Sequence, residues 1–180
     1  MGETLPKQAI LIVNAMSRTG SDAFDEVRDK LVTAGMELIA SHAVEDPDQM
    51  ETVICAAISE APMVIVGGGD GSLSTNVELF MGSNTVFGIV PLGTANSFAG
   101  TLGIPKDIDS AIDVIAKGER KRIDLGCIDG HYFVNSAAIG LSPMIAEDGG
   151  ESGWSMRRIK TSGGSSGLRS RASEAISRSV

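Results

Sequence analysis

Residues 63–74 read M-V-I-V-G-G-G-D-G-S-L-S, and no other stretch restricts the fold as much. A short run rich in β-branched residues meets three consecutive glycines, then Asp70, Gly71 and Ser72. An apolar, helix-compatible segment follows to Met81. The pattern predicts a buried strand, a tight turn and a helix start. Glycines in such a turn admit φ > 0 and let a ligand approach the main chain. Successive free N–H groups beside a helix N-terminus form an anion-binding concavity, for which phosphate is the obvious ligand. Asp70 would repel a bare phosphate, so it suggests Mg²⁺ held through the carboxylate or a bound water. The plainer alternative is a glycine-rich turn with Asp70 solvated or capping a helix.

The rest of the first 117 residues alternates strand and helix patterns. Residues 8–14 form an apolar run with a polar stop, expected as a buried strand. The polar turn N-A-M-S-R-T-G at 14–20 follows, and Ser21 or Asp22 is the expected helix cap. Phe24, Val27, Leu31 and Val32 share a helical face that Gly35 ends. A strand is expected at 36–41. Asp46 and Pro47 then open a helix carrying Met50, Val53, Ile54, Ala57 and Ile58 inward, stopping before Pro62. Beyond the glycine turn, Leu73, Val77 and Phe80 or Met81 give a third helix its buried face. A fourth strand at 86–90 ends in P-L-G-T-A-N-S, which opens a short helix at 95–102. Asp107 or Asp109 caps a further helix, with Ile108, Ile112 and Ile115 on its face and Gly118 at its end. This alternation requires an α/β fold: a parallel sheet with helices on both faces and ligands at the carboxyl ends of its strands. The turns 14–20, 67–72 and 91–97 all follow strands, so all three are expected on one edge.

The pattern changes at Glu119. Strands are expected at 120–125 and 131–137, joined at Asp129-Gly130, a strong hairpin signal. The expected organisation is an α/β nucleotide-binding domain over 1–118, the first strands of a β-rich unit over 119–147, and a Ser/Gly/Arg-rich tail over 148–180. Residues 152–180 hold nine serines, and six Lys/Arg against Glu174, a local charge of +5 that leaves −13 on the remainder. So polar a segment buries too little surface to offset its ordering entropy and is expected to be disordered.

Composition narrows the function classes. A net charge of −8 argues against a nucleic-acid partner. Hydrophobic residues at 42% with aromatics at 4% suit an aliphatic α/β core. Cys55 and Cys127 lie far apart without metal-ligand spacing, so a reducing cytoplasm is expected. The apolar run 9–13 is too short for a signal peptide or spanning helix. His42 and His131 have no matched carboxylate or cysteine, and Cys127 reads as a small core residue. Arg120, Lys121 and Arg122 read as a solvated edge. The basic tail offers a weak attraction to anionic lipid.

Together the motifs resemble the diacylglycerol kinase catalytic-domain family, which includes bacterial lipid kinases and the sphingosine kinases. The matching residues are Gly68–Ser72 with Leu73, then P-L-G-T-A-N-S-F at 91–98. N-x-x-S-x-x-G at Asn14, Ser17 and Gly20 resembles the family's first phosphate loop. I-D-L-G at 123–126 and Y-F-V-N-S-A-A-I-G at 132–140 resemble its crossing into a second domain. The resemblance implies ATP bound at the strand ends and phosphoryl transfer to a lipid hydroxyl, as in phospholipid metabolism. By the resemblance, Asn14, Ala15, Met16, Ser17, Arg18, Gly68, Gly69, Asp70, Gly71, Ser72, Leu73, Gly93, Thr94 and Asn96 contact the nucleotide. Asp70 serves as the catalytic and Mg²⁺-organising residue. Diacylglycerol or a sphingoid base is the implied acceptor, reached by a cytoplasmic protein in peripheral contact with the inner membrane face.

Departures from the family pattern are Ser72 for the usual Thr, Ser97 for a common Asp, and Val44 where a threonine is usual. Nothing after Leu141 resembles the family's β-rich second domain, which carries further carboxylates, the proposed base and the lipid-facing surface. The chain is therefore expected to be an impaired kinase, with uncovered strand edges over 120–137 that favour a homo-oligomer. The alternatives are a non-catalytic nucleotide-binding remnant, or a soluble kinase of the NAD kinase type, which also carries G-G-D-G. The 91–98 motif favours the lipid-kinase branch.

Overall fold

The computed structural model describes residues 3–16, 18–128 and 131–134. In chain order the elements are β1 (Glu3–Thr4), β2 (Gln8–Asn14), α1 (Arg18–Thr33), β3 (Glu37–Val44), α2 (Pro47–Glu60), β4 (Met63–Gly68) and α3 (Asp70–Asn76). A 3-10 turn (Val77–Phe80), β5 (Val86–Pro91), α4 (Ser97–Thr101), α5 (Ile108–Lys117), β6 (Glu119–Arg120), β7 (Gly126–Ile128) and β8 (His131–Phe133) follow.

β2, β3, β4 and β5 form one parallel sheet in the order β3-β2-β4-β5. β4 is buried along its whole length and β2 along its apolar run, as central strands covered on both faces must be. β3 mixes exposed and half-buried residues because it is an edge strand. Alternate residues of β2 serve opposite faces, the period-2 geometry of a strand. Ile10 and Ile12 join Ile54, Leu73, Phe80 and Phe98 under α2, α3 and α4. Leu11 and Val13 join Val27, Leu31, Ile112 and Ile115 under α1 and α5. On that second face Lys30 of α1 is bonded to Asp109 of α5 and to Glu26, which raises its pKa.

Asp46, Pro47, Asp107 and Gly35 behave as the sequence predicts. Asp46 accepts from the Asp48 N–H with Pro47 in the first helical position, and Asp107 accepts from the Ser110 N–H at 2.9 Å. Gly35 ends α1 with φ of 87°.

Several boundaries differ from expectation. α1 begins at Arg18, ahead of Ser21 and Asp22, so the end of the polar turn, from Arg18 to Gly20, belongs to its first helical turn. The third helix tightens to 3-10 geometry at Val77, which keeps Leu73, Val77 and Phe80 on the core. α4 starts at Ser97 rather than residue 95, because Asn96 is left-handed. The strand expected at 120–125 is only β6, paired antiparallel with β1. Residues 121–125 leave the sheet because Ile123 and Leu125 pack on the α2/α3/α4 core instead. The hairpin is present as β7 paired with β8. Asp129-Gly130, residues 135–137 of the expected strand and the tail lie outside the described residues.

Two measurements check this architecture. Leu31→Ala removes a fully buried side chain and is expected to cost about 2–5 kcal/mol in urea unfolding, whereas exposed Val32→Ala should stay within about 0.5 kcal/mol. The backbone N–H of Ser110, with its hydroxyl, holds the Asp107 carboxyl below its ordinary range. A depressed folded-state pKa gives stability that is present above the unfolded value and is lost as pH falls through the folded value. Asp107→Asn, which keeps a capping oxygen, is therefore expected to flatten the acid limb of a stability-versus-pH series.

Candidate functional site at the switch point

β2 connects to β3 on one side, and β3 returns across β2 to β4 on the other. The order therefore reverses between β2 and β4, and a crevice opens at their carboxyl ends, the usual ligand position in such sheets. The three turns meet there. Leu92 N–H donates to Gly68 O at 2.9 Å, carrying the β4–β5 pairing past the end of the sheet. Ala15 N–H donates to Val44 O at 2.8 Å, tying the first turn to β3.

The central turn does not use the positive φ expected of its glycines. No described residue from 67 to 71 has positive φ, and Gly69 is extended at φ −85°. The requirement is contact between two backbones. A Cβ on Gly93 would lie 2.6 Å from Gly69 Cα and 2.9 Å from Asn96 Oδ1, closer than real atoms approach. The positive φ, 50°, sits at Asn96, a residue type that tolerates the left-handed region. Its side chain closes a ring on Gly93, accepting from the Gly93 N–H at 2.9 Å and donating to the Gly93 carbonyl at 2.7 Å.

Asp70 is buried, 8% exposed, and its Oδ1 accepts from the Phe98 N–H at 2.8 Å. It caps α4, a helix on a different loop, and so locks the second turn to the third. Asn14 Nδ2 donates to Ser72 Oγ at 2.6 Å, locking the first turn to the second across the crevice. The side chains of Asn14, Ser72 and Asp70 thus set the relative positions of three loops.

These partners sort the expected contact residues. Gly71, Gly93 and Thr94 are exposed, and Asn14, Gly69 and Ser72 are half-buried. Leu73 does not face a ligand: its side chain is wholly in the core and its N–H bonds Gly69 O. Asn96 is 3% exposed with its amide engaged by Gly93, so it shapes the third turn from behind. Ala15 and Gly68 are buried, and Gly68 is spaced against Ser72. Met16 is exposed; Ser17 and the side chain of Arg18 lie outside the described residues. The Phe98 N–H is a site element that sequence reasoning missed, since a cap between loops leaves no local signal.

Two hollows flank the turns. One, about 560 Å³, lies at the end of β3 among Ser41, His42, Glu45, Asp46 and Gln49. The other, about 410 Å³, lies beside α4 among Phe98, Leu102, Ile123, Asp124 and Val134. Among the described residues no cluster of three His, Cys, Asp or Glu forms that could hold a metal. A hydrated Mg²⁺ needs only one or two carboxylates beside phosphate oxygens, so Asp70 is a sufficient protein ligand in kind.

The family model for the diacylglycerol kinase catalytic domain matches residues 8–128. A diacylglycerol kinase of Staphylococcus saprophyticus is 36% identical over 144 residues, covering 74% of this chain and 45% of that protein. A diacylglycerol kinase of Bacillus subtilis is 33% identical over 141 residues, covering 74% and 46%. A crystal structure of a diacylglycerol kinase from Bacillus anthracis strain Sterne superposes with a TM-score of 0.63 at 28% identity, covering 74% of this chain and 52% of that one. The chain spans about half the length of the curated relatives it matches.

The glycine geometry gives a paired test. Gly93→Ala forces two backbones apart and is expected to destabilise by about 1–3 kcal/mol. Gly71→Ala meets no heavy atom within 4 Å at a helical position, and is expected to stabilise by up to about 1 kcal/mol. Thermal unfolding of both variants checks the contrast.

Proposed function

The chain belongs to the diacylglycerol kinase catalytic-domain family, and from that premise we propose that its three-turn edge binds ATP for phosphoryl transfer to a lipid hydroxyl. The observation that carries this reading is the cross-bonded set of turns at the β2/β4 switch point. Phosphoryl transfer depends on positioning and charge neutralisation more than on covalent chemistry from the protein. A set of loops held by internal hydrogen bonds meets the first need without reorganising when the ligand arrives.

Gly69, Gly71 and Ser72 supply the main chain and hydroxyl nearest the phosphates, with Asn14 and the first turn on one side and Thr94 on the other. Asp70 would hold Mg²⁺, with one carboxylate oxygen on the Phe98 N–H and the other left for the cation or its water. Mg²⁺ supplies neutralisation of phosphate charge when bound. Diacylglycerol or a sphingoid base is the acceptor class, which brings the chain to the cytoplasmic surface of a bilayer. Among the described residues no helix is long and apolar enough to cross a membrane.

Calorimetry with ATP and Mg²⁺ tests the reading. Wild type is expected to bind, and Gly71→Val to lose binding while keeping its fold, since the added side chain occupies open space over the turn. Asp70→Asn retains an oxygen for the Phe98 N–H and loses only charge, so it should weaken Mg²⁺-dependent binding more than metal-free binding. Equal ATP affinity in wild type and folded Gly71→Val would remove the turn as the phosphate cradle. A radiolabelled-ATP assay with diacylglycerol, sphingosine and NAD as acceptors separates the lipid-kinase reading from a soluble kinase. Nucleotide binding without transfer to any of them would identify a binding module.

A further inference from the structure

We propose that Asn14 is a positioning residue that sets the direction of the Ser72 hydroxyl, so that Ser72 donates its proton to a phosphoryl oxygen of the nucleotide in the β2/β4 crevice. The inference rests on the nucleotide reading and adds a defined hydrogen-bond polarity to it.

The polarity follows from the partners. The Met16 backbone N–H can only donate, and it donates to the Asn14 side chain at 3.0 Å, so the atom it meets is Oδ1. The amide cannot be flipped without breaking that bond. Nδ2 therefore faces Ser72, and an amide NH₂ has no lone pair to accept with. At 2.6 Å the Ser72 oxygen must be the acceptor. Its own single proton is then directed elsewhere, and no described residue accepts it.

Ser74, two residues on, shows the usual alternative for a helical serine. Its hydroxyl donates back to Asp70 O at 2.6 Å. Ser72 makes no such bond; its position is fixed instead from both sides. A Cβ on Gly68 would lie 2.9 Å from Ser72 Cβ, so the serine rests against the bare backbone of β4. Its carbonyl receives the Asn76 side chain at 2.7 Å. The result is a one-way chain from the Met16 N–H through Asn14 to Ser72, ending in a donor. A donor at that point suits a group that only accepts, as an ionised phosphoryl oxygen does.

The test is a double-mutant cycle in the full chain, with ADP and adenosine affinities measured by calorimetry. Ser72→Ala and Asn14→Ala are each expected to weaken ADP about tenfold, the scale of one hydrogen bond to a charged group. The double variant is expected to bind no worse than Ser72→Ala alone, with adenosine affinity little changed throughout. Ser72→Thr, which retains the hydroxyl, should recover most of the affinity lost in Ser72→Ala, and with it the dependence on Asn14. Additive losses, or an equal loss for adenosine, would overturn the inference.

If Asn14→Ala does not fold, Asn14→Asp replaces it, since an ionised Asp keeps the acceptor for Met16 but cannot donate to Ser72. Its ADP penalty is expected to shrink in the Ser72→Ala background, whereas an undiminished penalty means simple charge repulsion and rejects the relay. A wild type that does not bind ADP removes the nucleotide reading and this inference with it. Wild-type binding with an additive cycle removes this inference alone.

Discussion

The approach of Gly69 to Gly93 governs the carboxyl edge of this sheet. Two main chains, each leaving a different strand, come close enough that Gly93 has no room for a Cβ and one on Gly69 would press on Gly93 Cα at 3.3 Å. Two side chains hold the third turn around that contact. The Asn96 amide closes on both polar atoms of Gly93, and the Asp70 carboxylate reaches the first turn of α4 behind it. Buried polar groups of this kind are costly unless satisfied, and here they are: no buried side-chain nitrogen or oxygen among the described residues lacks a partner.

Asp70 shows how one residue meets a structural demand while leaving an oxygen for the proposed cation. A carboxylate beside a phosphate site is electrostatically unfavourable by itself. One oxygen is stabilised by the Phe98 N–H, a charge-assisted bond that also fixes the third turn. The cap read as the plain alternative to a metal role is therefore present, but on a helix distant in sequence. A carboxylate has two oxygens, so the cap and a cation on the other side are compatible.

The strand order makes the edge a crevice rather than a row of loops. With β2 and β4 adjacent and their connections diverging, the first and second turns face each other across a gap. The Asn14–Ser72 bond spans that gap between residues 58 apart in sequence. The two core clusters, one on each face of the sheet, hold the strand ends in register, so the loops inherit their precision from packing.

The sequence by itself determined the central strands, the helices between them and the shared edge of the three turns. Apolar runs bracketed by glycine, proline and capping residues are local signals, and parallel connectivity follows from their alternation. Asp46, Asp107 and Gly35 act where the sequence places them for the same reason. Only the tertiary structure decided why position 93 is glycine, since the backbone of Gly69, 24 residues away, occupies the space of its Cβ. It also moved the left-handed residue to Asn96, turned Leu73 and Asn96 away from the crevice, and drew residues 121–125 out of the sheet through Ile123 and Leu125. Each of these depends on contacts between residues far apart in the chain, which no window of local pattern contains.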